Sequence, residues 1–353
     1  MEKPHLSGKL KNLLKDGIVI PAHPLALNAQ RKIDEEKQRR LTRYYMASGA
    51  GGVAAGVHTT QFEIRDPKIN LYETVLQLAS EEITKANLPR PFVKVAGICG
   101  PTSQAVKEAE LAVKHGYDIG LLSMGGLQDL TEEQILERVK IIAGIIPVFG
   151  FYLQPAAGGR IFSYVFWRQF AEIENVEAIK VAAFNRYQTL DVMRAVANSS
   201  RRDSIAMYTG NDDNIIADLL TAYRFTVNKQ IIEKRFSGGL LGHWAVWTKK
   251  AVELLEEIKE YHKNKAEEKA GVLLTKGIAV TDMNAALFDP AHQFHGCIAG
   301  IHEVLRRQGL MEGRWSLDPE EDLSLGQMEE INRVYEDYPE LTDDDFVKEF
   351  LKS

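Results

Sequence analysis

The sequence predicts a (β/α)8 barrel followed by a helical C-terminal extension, and two observations carry this prediction. Eight short runs rich in Val, Ile, Ala and Gly recur before residue 263. Longer amphipathic segments separate them, and eight such alternations are typical of a barrel, with an open doubly wound sheet as the alternative. We place the barrel at residues 1–263 and the helical extension at residues 264–353.

The predicted strands share a composition that is apolar on both faces. Such runs are expected of parallel strands buried between a barrel interior and a helix layer. Their spacing of about 25 to 40 residues is the length of one strand, one helix and two loops. They begin at Gly17, Gly51, Phe92, Asp118, Pro147, Glu177, Ser204 and Gly238.

The intervening segments carry helix signals. Residues 32–48 and a later charged segment end at Gly49 and Gly116, as helices often do. Thr131 and Gln134 form a capping box that opens the next helix. After residue 263 the strand-like runs stop and apolar-periodic segments continue, which predicts helices packed on the barrel.

Composition excludes several classes of protein. The chain has 353 residues, 45% of them hydrophobic, and 43 basic against 49 acidic side chains give a net charge of −6. This balance argues against a nucleic-acid surface. The longest apolar stretch, residues 141–153, is interrupted by Pro147 and is too short to cross a bilayer. With two cysteines and no secretory signal at its N-terminus, the protein is expected in the cytoplasm.

Two motifs resemble cofactor-binding sites, but their positions and spacing do not fit such sites. GAGGVA, at residues 49–54, follows a predicted helix and enters a strand, whereas a dinucleotide-binding loop leaves a strand and opens a helix. His292, His295 and Cys297 could ligate a metal, but no second half with zinc-site spacing accompanies them. We therefore expect neither a metal nor another cofactor.

Lys180 lies within the apolar run VEAIKVAAF. Burial lowers the pKa of a lysine and frees its amine to attack carbonyl carbons. The alternative is a lysine at a strand end that reaches solvent. The sequence pattern leaves both interpretations open.

VEAIKVAAF, preceded by FYLQPAAGGR and HTTQF and followed by TGNDDN, resembles the dihydrodipicolinate synthase and N-acetylneuraminate lyase family. The resemblance covers residues 10–310. It implies a class I aldolase or lyase on a (β/α)8 barrel, assembled as a homo-oligomer, a tetramer or a dimer. It further implies a small-molecule 2-keto acid substrate, without a nucleic-acid or membrane partner.

The resemblance also implies catalytic residues. Lys180 matches the lysine that forms the Schiff base, and Tyr152, 28 positions earlier, matches the tyrosine that shuttles protons near the imine. Thr59 and Thr60 match the paired hydroxyl residues that grip the substrate carboxylate, the first of them contacting the tyrosine. A protonated imine is an electron sink, so a neighbouring bond can break heterolytically.

The loop after the seventh predicted strand matches the part of the family that contacts the distal end of the substrate. The matching residues are Gly210, Asp212 and Asp213. Three histidines that the family does not require also follow predicted strands, namely His23, His58 and His243. They could bind substrate or, less readily, a metal, or they could be packed residues with satisfied hydrogen bonds.

Departures from the family pattern concern the second substrate. Gln61 and Phe62 replace a Gly-Glu pair, glycines stand at residues 125–126 where the synthase has a tyrosine, and Ala157 replaces its carboxylate-binding arginine, with Arg160 close by. We therefore expect a Schiff-base lyase or aldolase that is not the synthase. A dehydratase or decarboxylase using the same imine, and a barrel that binds a small acid without turnover, are the alternatives.

Overall fold

The computed structural model describes residues 4–353, so the first three residues of the predicted barrel segment lie outside the described part of the chain. Eight parallel strands form one sheet, and a separate two-stranded hairpin precedes the last of them. In chain order the strands are β1 (Val19–Pro21), β2 (Gly52–Ala55), β3 (Val93–Ile98), β4 (Ile119–Ser123), β5 (Val148–Leu153), β6 (Val176–Ala182), β7 (Ala206–Thr209), β8 (Tyr223–Val227), β9 (Gln230–Lys234) and β10 (Gly238–Leu241).

The sheet closes on itself through its first strand. β1 pairs with β10 in parallel, with Val19 opposite Gly239. On the other side Ala22 forms a parallel bridge with Ala54 of β2. The predicted (β/α)8 barrel is therefore confirmed, and the open doubly wound alternative is wrong.

Helices fill the crossovers and follow the barrel. They are α1 (Gly8–Asp16), α2 (Glu35–Ala47), α3 (Tyr72–Ala86), α4 (Thr102–Lys114), α5 (Glu132–Ala143), α6 (Tyr164–Glu172), α7 (Arg186–Ala197), α8 (Ile215–Leu220), α9 (Thr248–Asn264), α10 (Ala270–Phe288), α11 (Cys297–Arg307), α12 (Gln327–Asp337) and α13 (Asp344–Phe350). The capping box opens α5, where the Gln134 N–H donates to Thr131 Oγ1 at 3.3 Å and the Thr131 N–H to Gln134 Oε1 at 2.8 Å. Both capping groups satisfy donors that a helix start leaves unpaired.

Alternation along each strand separates two cores. On β5, Phe149 and Phe151 point into the barrel interior, where Phe149 meets Tyr208 of β7 edge to face. Val148 and Tyr152 belong to the outer core between strands and helices. The period of two therefore decides which side chains of each strand can reach a site in the barrel.

The β8–β9 hairpin differs from the all-helical crossover predicted between the last two barrel strands. Only the six-residue α8 precedes it. At its turn Asn228 and Lys229 both have positive φ, 49° and 66°, as the favoured two-residue hairpin turns require. The β-branched and aromatic residues of YRFTV and QII were the available signal.

The extension packs against α2 through its own apolar cluster. Tyr44 of α2 joins three parts of the chain, because its hydroxyl donates to Asp343 Oδ2 at 2.6 Å and accepts from the Thr248 N–H at 2.9 Å. Within residues 4–353, no helix is both long enough and apolar enough to cross a membrane.

Candidate functional site

A cavity of about 200 Å³ lies at the carboxyl ends of the barrel strands. The barrel side is lined from β1, β2, β4, β5, β6, β7 and β10 or the residues after them, and the other side by the extension. Active sites of (β/α)8 enzymes lie at this end of the barrel. A larger cleft of about 890 Å³ between α2 and α3 is an open surface feature whose charges pair with each other, as Arg39 does with Glu81.

Lys180 enters this cavity from β6. Its side chain is 8% exposed, and its Nζ lies 4.5 Å from the centroid of the Phe151 ring on β5. Within residues 4–353 no hydrogen bond or ion pair holds the Nζ atom. Burial lowers the pKa of Lys180, partly offset by the negative charge of Asp212. The amine is therefore easier to deprotonate than an ordinary lysine and has carbon neighbours instead of competing acceptors.

Asp212 is the acidic side chain of the same cavity. It follows β7, is 5% exposed, and its Oδ1 accepts a hydrogen bond from the His243 N–H at 3.1 Å. Burial raises the pKa of Asp212, while the Lys180 charge and the His243 N–H oppose the rise. The pKa values of Lys180 and Asp212 thus move toward each other. Since no hydrogen bond or ion pair joins the two groups, a proton passes between them only through an intervening water or substrate group.

Gly210 leaves the space that the Lys180 side chain occupies. A Cβ atom at Gly210 would stand 2.3 Å from Lys180 Cε and 3.0 Å from Lys180 Cγ. The same Cβ would stand 2.9 Å from Ala182 Cβ, so an added methyl group would push the flexible lysine side chain aside and also require a small backbone shift. Gly210 also lines the cavity, so its expected contact with the distal part of the substrate stays a prediction.

We expect Gly210→Ala to slow adduct formation at Lys180 by about 100-fold, because a displacement near 1 Å costs a factor of that size. The measurement is the rate of borohydride-trapped adduct with pyruvate, together with the melting temperature, which separates displacement of the amine from a loss of stability. Gly271→Ala is the control, since a Cβ there meets nothing within 4 Å. An unchanged trapping rate in Gly210→Ala would contradict the placement of the lysine.

Tyr152 does not reach the cavity. Its ring packs 5.1 Å from Trp167 of α6, and its hydroxyl has no hydrogen-bond partner. The predicted contact with Thr59 is wrong, because the Thr59 hydroxyl donates to the His23 carbonyl at 3.3 Å. Phe151, one residue earlier, lies opposite Lys180 and lines the cavity in its place.

The segment after β2 contributes two of its three candidate residues. His58 and Thr59 line the cavity. His58 is exposed at the cavity mouth, so partial desolvation and then the Lys180 charge lower the pKa of its imidazole. Thr60 is fully buried, with its hydroxyl donating to the His23 carbonyl at 2.7 Å and accepting from the Val57 N–H at 3.2 Å. Thr60 therefore supports the segment from behind.

Two of the three histidines lie outside the cavity lining. His23 is fully buried, with Nε2 2.9 Å from Thr42 Oγ1 and Nδ1 2.8 Å from the Pro24 carbonyl oxygen. The His243 ring packs against Trp247 and acts on the site only through its backbone N–H. Neither ring lines the cavity, and this placement favours the packed interpretation that the sequence left open.

Asp213 is the remaining candidate of the β7 loop, and it is exposed outside the cavity lining. Its carbonyl oxygen accepts a hydrogen bond from Thr281 Oγ1 of α10 at 3.1 Å. Asp213 therefore fastens the loop to the extension, while the preceding carboxyl group faces the site.

The departures from the family pattern also have structural explanations. Gln61 Oε1 accepts from the Leu317 N–H of the extension at 2.6 Å. Arg160 donates to the carbonyl oxygens of Leu127 and Leu130 at 3.2 and 2.8 Å, so it does not replace the arginine missing at Ala157. The glycines at residues 125–126 pack against the Gly158 carbonyl and do not enlarge the cavity.

Sequence reasoning missed the aromatic and extension residues of the cavity. These are Phe184 after β6 and, from the extension, Phe288, Gln293, Phe294 and Cys297. Part of the HQFHGC segment therefore lines the cavity, while His292 pairs with Asp289 at 2.6 Å. Among residues 4–353 no group of three or more His, Cys, Asp or Glu side chains is placed to hold a metal ion.

Fold and site together define a (β/α)8 barrel with a buried lysine at the carboxyl end of its sixth barrel strand. Solved structures of the same fold include dihydrodipicolinate synthase from Oceanobacillus iheyensis, with a TM-score of 0.73 and 18% identity over 94% of this chain and 99% of that one. N-acetylneuraminate lyase from Fusobacterium nucleatum, complexed with pyruvate, has a TM-score of 0.71 and 16% identity over 93% and 99%.

A third structure, CdNal from Clostridium difficile in complex with mannosamine, has a TM-score of 0.71 and 16% identity over 91% of this chain and 99% of that one. No protein-family model and no curated protein sequence matches the chain. The resemblance drawn from the sequence motifs is thus confirmed at the level of the fold, which includes the C-terminal helices.

Proposed function

We propose that this protein is a divergent member of the dihydrodipicolinate synthase and N-acetylneuraminate lyase family. It acts as a class I lyase or aldolase in which Lys180 forms an imine with a 2-keto acid. The observation that carries the proposal is Lys180 itself, a buried lysine with a lowered pKa, without a hydrogen-bond partner, that faces a carboxyl group across a cavity.

The Lys180–Asp212 pair suits the first half of the reaction. Transfer of a proton from the ammonium to the carboxylate, through a water molecule between them, yields a nucleophilic amine and a carboxylic acid. The amine attacks the C2 carbonyl of the keto acid, and the carboxylic acid protonates the hydroxyl that leaves as water. The resulting iminium carries the positive charge that the lysine carried before.

The second half follows from charge balance. In the iminium state the substrate carboxylate offsets the positive charge, so an ionised Asp212 would be an uncompensated buried anion. An ionised Asp212 is therefore a strong base and is placed to take the proton of the C4 hydroxyl. As it does so, the C3–C4 bond breaks, its electron pair moves to the iminium, and an enamine and an aldehyde form. Asp212 then returns the proton to C3 of the enamine. Water then hydrolyses the iminium, which releases pyruvate and regenerates the amine of Lys180. In this proposal Asp212 replaces Tyr152 as the proton carrier.

Thr59 and neutral His58 are proposed substrate contacts, because both line the cavity beside the lysine. A dehydratase or decarboxylase would use the same iminium. A barrel that binds a small acid without turnover remains the alternative of a different class. The homo-oligomeric state stays a prediction.

Cleavage of 4-hydroxy-2-oxo acids tests the proposal. We expect pyruvate release, followed with a coupled reductase, that is unchanged by EDTA, because the iminium supplies the electron sink. A product that keeps every carbon atom of the substrate would favour the dehydratase. Loss of all activity in EDTA, or thermal stabilisation by keto acids without any product, would contradict the lyase.

A further inference from the structure

We propose that the partner of the keto acid is an apolar aldehyde, with an aromatic or branched alkyl group, held by a collar of three phenylalanines. The collar consists of Phe184, Phe288 and Phe294. This inference rests on the proposed Schiff-base function and specifies the substrate of the same site.

The collar joins the barrel to the extension across the cavity. Phe184 follows β6, four residues after Lys180, and its ring meets Phe294 edge to face with centroids 6.0 Å apart. Phe288, the last residue of α10, packs over Gly242, where a Cβ would stand 2.8 Å from its ring. Leu121 and Leu153 extend the apolar lining along β4 and β5. A carbonyl compound bound to Lys180 therefore meets phenyl rings on the extension side, with Gln293 and Cys297 beside them.

The backbone is strained where two collar rings enter the cavity. Phe184 and Phe294 have φ values of 48° and 67°, which bulky residues rarely adopt and which cluster at functional sites. Asn211 Oδ1 holds the Phe184 N–H at 3.0 Å, and buried Asp289 Oδ2 accepts from the Gly296 N–H at 3.2 Å. The surrounding structure thus maintains two unfavourable conformations that direct the rings inward.

The charges of the lining argue against an acidic partner. Lys180 is its one lysine or arginine, and the carboxylate of the bound keto acid already offsets its iminium charge. A second carboxylate, as in aspartate semialdehyde, would be buried without a cation. The lining offers Gln154 and Gln293 to a polar tail, but a polyol has more hydroxyls than these two amides can pair, and the remainder would lie against the phenyl rings. The volume of about 200 Å³ suits a small apolar group, since a cavity of about 150 Å³ can hold benzene.

The condensation balances without a further reactant. Asp212 first takes a proton from C3 of the pyruvate iminium, which gives the enamine and the Asp212 carboxyl group. The enamine C3 then attacks the aldehyde carbon, and a C–C bond forms. The alkoxide oxygen takes the proton of the Asp212 carboxyl group. Water then hydrolyses the iminium to a 4-hydroxy-2-oxo acid and free Lys180.

The test compares kcat/KM for benzaldehyde, glyceraldehyde and aspartate semialdehyde at saturating pyruvate. We expect benzaldehyde to be preferred over both by at least about 10-fold, the discrimination that an apolar pocket provides. Borohydride trapping of pyruvate on Lys180 is measured in parallel. If pyruvate is trapped on Lys180 but glyceraldehyde or the semialdehyde is the preferred aldehyde, the role of the collar is overturned and the Schiff-base function stands. If neither trapping nor condensation occurs, both the collar proposal and the Schiff-base function are overturned.

Two variants locate the preference. Phe184→Ala and Phe294→Ala are expected to lower the benzaldehyde preference by about 10-fold while pyruvate trapping is retained. Tyr187→Ala is the aromatic control, because that side chain is 83% exposed and lies outside the lining. A preference that survives in both collar variants, with trapping and melting temperature intact, would contradict the proposal.

Discussion

Lys180→Met is expected to lower the cleavage rate by at least about 1,000-fold, because it removes the nucleophile that forms the intermediate. Methionine keeps the length and apolar stem of the side chain, so the fold should survive. Melting temperature and circular dichroism check that the loss is chemical.

Lys94→Met is the matched control. Lys94 lies on β3, also has a pKa lowered by burial, and donates to Ser80 Oγ at 3.2 Å outside the cavity. Its replacement should leave turnover and trapping unchanged. If both variants lose activity equally, the loss in Lys180→Met is a general effect of replacing a lysine and not evidence of catalysis by Lys180.

Asp212→Asn is expected to lower turnover by about 100-fold, the contribution typical of a general acid–base group. The amide oxygen can still accept from the His243 N–H, so the loop should keep its position. Adduct formation with pyruvate should persist, since the lysine remains.

The pH dependence gives Asp212→Asn a second readout. The carboxylate raises the pKa of Lys180, because it stabilises the ammonium. Its removal should therefore lower that pKa further, and the rate of adduct formation should reach its plateau at lower pH than in the wild type. Both midpoints should lie below the value near 10.4 of an ordinary lysine.

Tyr152→Phe is the matching control for the proton carrier. It removes a hydroxyl group that has no partner and lies outside the cavity, so turnover should stay at the wild-type level. Full activity in Asp212→Asn together with a loss in Tyr152→Phe would reverse the assignment and restore the role that the sequence motif implied.

The contrast between Lys180 and Tyr152 shows how far sequence reasoning reaches. Runs of buried Val, Ile and Ala mark strands whatever their register, so all eight barrel strands were predictable. The face of a side chain depends on register, because strand side chains alternate. Val148 pairs with Val176 but Phe149 with Ala178, and this shift places the residue 28 positions before the lysine on the opposite face.

The helical extension was predicted, but its contribution to the cavity was not, for a different reason. Phe288 and Phe294 lie more than 100 positions after Lys180, and no local pattern reports which distant segment covers a barrel mouth. For the histidines, the position after a strand was not enough to predict whether the ring reaches the cavity. His23 follows a strand as a ligand would, but its neighbours Thr42 and Pro24 satisfy its ring.

Mass spectrometry after borohydride reduction in the presence of pyruvate tests the central claim most directly. The account predicts one reduced pyruvate adduct per chain, on the peptide that contains Lys180, and none in Lys180→Met. An adduct on another lysine, or none with pyruvate and a panel of other 2-keto acids, would contradict it.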